Sequence, residues 1–74
     1  MRPSQQLKAV LSGKITPDKC DNAVRSWLRL TVYRIAEKVI DLPFDRRIIE
    51  INKQPEGLRE LVKQEVIRLN KIGV

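Results

Sequence analysis

The chain has no histidine, a single cysteine and only three glycines among its 74 residues. Each scarcity closes a class of function. Without histidine the usual general base near neutral pH is missing, and neither a Ser–His nor a Cys–His nucleophile can be assembled. Zinc sites built from Cys and His are excluded for the same reason. The lone Cys20 has no intramolecular disulfide partner, and a single thiol suits a reducing compartment. No apolar run approaches the roughly 18 residues of a membrane span. Met1-Arg2-Pro3-Ser4-Gln5-Gln6 leads into no long apolar core with a small-residue cleavage site, so no secretory signal is expected. These absences predict a cytoplasmic protein that is not an enzyme, with no cofactor, no metal and no membrane contact.

What is present is ordinary for a folded domain: 42% hydrophobic and 32% charged residues. The length allows one domain, residues 1–74, and lies near the lower limit for burying enough surface alone. Good helix packing or self-association has to compensate, and a homodimer through a long helix is one remedy.

Prolines and glycines divide the chain into four pieces. Ser4 to Ser12 reads as a short helix with Leu7, Val10 and Leu11 on one face, Ser4 as its cap and Gly13 as its left-handed stop. Thr16-Pro17-Asp18 is a helix start signal, and the helical spacing that follows runs to Ile40. Little of that stretch is purely polar, which predicts a central helix over about 17–40 with Trp27 and Tyr33 in the core. The alternation in Leu28-Arg29-Leu30-Thr31-Val32 is compatible with a strand, but no turn residue separates it from the flanking helical pattern. Leu42-Pro43 ends the helix. Asp45 then caps a segment from Arg46 to Lys53 with Ile48, Ile49 and Ile51 facing inward. Gln54-Pro55-Glu56-Gly57 precedes a last helix carrying Leu58, Leu61, Val62, Val66 and Leu69, with Glu60–Lys63 and Glu65–Arg68 as outer pairs. The predicted fold is all-α, a small bundle of three to four helices around the long central one. Its expected core is Leu7, Leu11, Val24, Trp27, Leu28, Ile35, Val39, Ile48, Leu58, Leu61, Val62, Val66 and Leu69.

Chemistry-bearing groups are few. Glu56 with Glu60, or Asp41 with Asp45, have the spacing of a Mg²⁺ pair, but negative charge in a first helical turn and a capping Asp explain them without a metal. Cys20 near a helix start reads as a small buried hydrophobe rather than a reactive thiol. The formal net charge of +6 attracts phosphate or acidic protein surfaces. Residues 1–40 carry eight basic and three acidic side chains, residues 41–74 seven and six. Lys14, Lys19, Arg25, Arg29, Arg34 and Lys38 are the candidate contacts to a partner or to phosphates, with Arg25–Arg29 and Arg34–Lys38 on different sides of the helix. A helix-turn-helix over Asp45–Lys71 is conceivable, but Glu56 and Glu60 stand where its recognition helix meets DNA.

Ile40-Asp41-Leu42-Pro43, Arg46-Arg47, Ile51, Pro55, Leu58-Arg59, Val62-Lys63 and Val66-Ile67-Arg68-Leu69 form a pattern that resembles the ends of short uncharacterised helical proteins of tailed phages and prophages. The resemblance covers about half the chain and assigns no site. It implies an accessory protein acting in bacterial cytoplasm during infection or lysogeny. The expectation is a non-catalytic binding protein, an inhibitor or adaptor docking on a host or viral protein. A small basic DNA- or RNA-binding regulator is the alternative. One continuous basic face free of carboxylates favours nucleic acid, and an exposed apolar patch rimmed by mixed charge favours a protein.

Overall fold

A computed structural model describes residues 2–72, the side chain of Ile72 excepted. Proline sets the first helix, α1 (Pro3–Leu11), by occupying its first position, where a missing N–H costs nothing. The cap is not Ser4: Gln5 Oε1 accepts from the Arg2 amide at 3.1 Å, one residue before the helix opens. At the other end Gly13 adopts φ 80°. There the amide of Lys14 donates to the Ala9 carbonyl (2.8 Å) and that of Gly13 to the Val10 carbonyl (2.9 Å), a Schellman closure.

The central helix is shorter than its sequence pattern. Pro17–Lys19 forms a separate 3₁₀ turn, Cys20 and Asp21 are extended, and α2 spans Asn22–Ile40. The reason lies in α1. The Asp21 amide donates to Oε1 of the buried Gln6 (2.8 Å), which holds Asp21 outside the helix. The extended Cys20 then turns its side chain into the core, where it is 7% exposed. Thr16 and Pro17 therefore start only the 3₁₀ turn.

After Pro43 the chain enters α3 (Phe44–Asn52) two residues earlier than the sequence predicts, with Asp45 inside the first turn rather than capping it. Arg47 ties this helix to the end of α2. Its Nη2 donates to the Ile40 carbonyl (2.8 Å) and its Nε to that of Leu42 (3.1 Å), so a cation meets the negative helix terminus. Arg47→Ala is expected to lower stability by about 1–2 kcal/mol in urea denaturation, and Lys at this position to recover little of it, because an ammonium lacks the planar fork that spans two carbonyls.

The last helix, α4 (Glu56–Ile72), packs on α2 more extensively than any other pair of elements does. The four helices enclose one cluster of buried residues, in which Val10, Leu28, Val39 and Val62 are the largest fully enclosed side chains. Among the described residues there is no strand. Most of the expected core is buried or packed against it, with Val10, Cys20, Val32, Ala36 and Ile51 joining.

Two expectations are overturned. Trp27 is 47% exposed and Tyr33 lies at the surface as well. At 100° per residue the buried positions Val24, Leu28, Val32, Ala36 and Val39 form one narrow stripe, and Trp27 points well outside it. Ile48 and Ile49 are likewise exposed, at 59% and 58%. At 100° per residue Ile51, Ile48 and Ile49 spread over about 160° of α3, and this helix, packed on one side, buries Ile51 alone of the three.

Helix α4 meets α1 at a glycine. A Cβ on Gly57 would lie 1.6 Å from the Val10 carbonyl oxygen and 2.7 Å from its carbon. Gly57 is thus inside a helix, not in the turn of a helix-turn-helix, and its missing side chain is the space α1 occupies.

Candidate functional site

The regular helix α2 decides how the six candidate basic residues are distributed. Arg25 and Arg34 are nine positions apart, as are Arg29 and Lys38, which places each pair half a turn of circumference from the other. Arg34 and Lys38 stand on the side opposite Arg25 and Arg29, as their spacing predicts. Lys14 borders a shallow depression on α1 together with Lys8, Gln5 and Ser12. Lys19 sits on the 3₁₀ turn beside Asp18. The six do not converge.

What does converge is a set the sequence alone divides between two segments. Arg25 and Arg29 of α2 share an open cleft of about 320 Å³ with Arg68 of α4, over a floor that includes the apolar side chains of Leu28, Val32 and Leu61. Leu28 and Val32 are buried and Leu61 half-buried, so the floor is continuous with the core. Carboxylates accompany the arginines. Arg68 pairs with Glu65, which raises the guanidinium pKa above its usual value. Arg25 accepts a local partner in donating to Asn22 Oδ1. The Asp18 carboxyl is held below its usual value by a hydrogen bond from Thr16, then by its own backbone amide, with Lys19 and Arg25 adding charge attraction.

Arg29 differs from its neighbours. It lines the cleft, a second depression with Ser26, Leu30 and Tyr33, and a third with Asn22 and Arg25. Its side chain makes no ion pair or hydrogen bond among the described residues. Beyond it the Tyr33 hydroxyl donates to Glu37, which pushes the phenol pKa up.

A second surface lies on α3. Phe44 is 79% exposed and forms an apolar rank with Ile48, one turn on, while Ile49 is exposed about 100° further round the same nine-residue helix. Asp45, Arg46, Arg47 and Glu50 stand among these residues, and Arg47 lies over the Phe44 ring at 5.8 Å from its centroid. The sequence pattern misses this surface because it assigns all three isoleucines to the core; Ile48 and Ile51, about 60° apart, can share a face, and only Ile49, about 100° from Ile48, is set apart by its position.

Among the described residues no group of three or more Cys, Asp or Glu side chains is placed to hold a metal ion, and no helix is long and apolar enough to cross a membrane. The chain matches no protein-family model, no curated protein and no solved structure.

Proposed function

We propose that this chain is a non-catalytic binding protein that docks on a protein partner through the apolar rank of α3. The observation that carries the reading is the exposure of Phe44, Ile48 and Ile49 amid charges of both signs. Burying a large apolar side chain is worth about 1.5–3 kcal/mol, and three such side chains on one short helix are an unusual surface for a protein that works alone. The resemblance of the C-terminal half to phage and prophage proteins supplies the setting, an inhibitor or adaptor in bacterial cytoplasm.

The carboxylates of Asp18 and Glu65 among the arginines count against nucleic acid, since each repels phosphate. The test is photo-crosslinking from benzoylphenylalanine placed at Phe44 in bacterial cells. A discrete protein adduct that disappears with Ile48→Asp is expected, and an adduct at twice the mass of the chain identifies a second copy as the partner. In parallel, labelled duplex and single-stranded oligonucleotides titrated at low and moderate salt are expected to show no specific binding. Tight binding that weakens steeply with salt, and drops when Arg25 and Arg29 become Ala, would replace this reading with the nucleic-acid one.

A further inference from the structure

The cleft between α2 and α4 has a chemistry of its own. Its floor is apolar, its rim holds three guanidinium groups, and two of those are already engaged, Arg68 by Glu65 and Arg25 by Asn22. Among the described residues Arg29 is the unengaged one of the three, and it stands where three depressions meet. A carboxylate placed against Arg29 gains a charge-assisted, bidentate contact without displacing an existing one. The volume, about 320 Å³, lies at the small end of ligand pockets, which suits one large side chain rather than a cofactor. The long stems of the arginines extend the apolar wall while their heads stay in water.

From this we infer that the cleft receives an acidic peptide segment of the partner, one large apolar side chain seated over Leu28, Val32 and Leu61 and a neighbouring carboxylate on Arg29. The inference rests on the protein-docking reading and adds to it a second contact, chemically unlike the first. Charge selects the occupant. Glu65, beside Arg29 and Arg68, repels any anion, so a nucleic-acid backbone that must lay successive phosphates along the cleft is disfavoured more than a peptide that brings one carboxylate to Arg29 and an apolar side chain to the floor. A second copy of this chain is a poor occupant, because each copy carries +6. A simple inorganic anion gains nothing from the apolar floor.

The experiment is fluorescence polarisation with a labelled peptide of about a dozen residues, carrying a single Phe flanked by Asp and Glu one helical turn away on each side. The control peptide has Lys in place of every acidic residue. Saturable binding of the acidic peptide only is expected, weakened about tenfold by Arg29→Glu, a change of roughly 1.4 kcal/mol, and left unchanged by Arg34→Glu. The two variants alter net charge equally and lie on opposite sides of α2, so the comparison separates a site from general attraction. Equal losses in both variants, equal binding of the Lys peptide, or no binding of the acidic peptide would each overturn the assignment. So would displacement of the peptide by a generic oligonucleotide. The cross-linked adduct from position 44 distinguishes the two levels. An adduct that forms undiminished in Arg29→Glu removes the cleft and leaves the docking function standing, whereas absence of any Ile48-dependent adduct with Arg29 intact removes the docking function itself.

Discussion

Gly57→Ala is expected to lower stability by about 3 kcal/mol or more, at the upper end of small-to-large substitutions, enough to unfold much of the population. The added methyl would meet backbone, not a flexible side chain: the Val10 carbonyl oxygen at 1.6 Å, its carbon at 2.7 Å and the Gly13 nitrogen at 3.2 Å. Relief requires α1 to move away from α4, which opens the contact around the fully buried Val10. The same substitution taken as a helix effect alone has the opposite sign, since Ala is favoured over Gly in a helix, by up to roughly 1 kcal/mol in an interior and less at the second position of α4. The sign therefore decides between a close helix crossing and an ordinary exposed glycine. Urea denaturation followed by far-ultraviolet circular dichroism measures it, and a midpoint at or above that of the parent would show that α1 does not rest on Gly57.

The second large effect separates two adjacent residues. Leu28→Ala is expected to cost about 2–5 kcal/mol, because the side chain is 2% exposed and its removal leaves a cavity between α2 and α4. Trp27→Ala, which deletes a much larger side chain, is expected to cost only about 1 kcal/mol, since Trp27 is half in water and borders an open depression with Pro3, Leu7 and Val24 at the edge of the core. Size alone predicts the reverse order. Finding Trp27→Ala the more damaging of the two would mean that the indole, not the leucine, is the centre of the bundle.

How far the fold can be read from residue order follows from this contrast. The breaks at Gly13, Pro17, Pro43 and Pro55 are legible because a left-handed φ or a missing amide is a local constraint. The stripe through Val24, Leu28 and Val39 and its counterpart Leu58, Val62 and Val66 are legible because periodicity is local too. Trp27, Ile48 and Ile49 are misassigned because hydrophobicity says that a residue gains from burial, not that a neighbour exists to bury it. The start of α2 is misplaced because Gln6, on another helix, captures the Asp21 amide. The candidate site has the same division. Arg25 and Arg29 announce themselves one turn apart, whereas Arg68 joins them only once α4 lies against α2.

The extended link at Cys20 has a practical consequence. Its thiol is enclosed at the corner where the 3₁₀ turn meets α2, with Sγ 3.9 Å from the Thr16 carbonyl oxygen, and it is the one cysteine of the chain. A thiol reagent can reach it only when that corner opens. The rate of labelling thus reads a local opening equilibrium directly, without a probe having to be built in. Loss of the Gln6–Asp21 tether and loss of global stability leave different signatures in that rate as denaturant is raised, so the protein carries its own sensor for how firmly its first helix is fastened to its second.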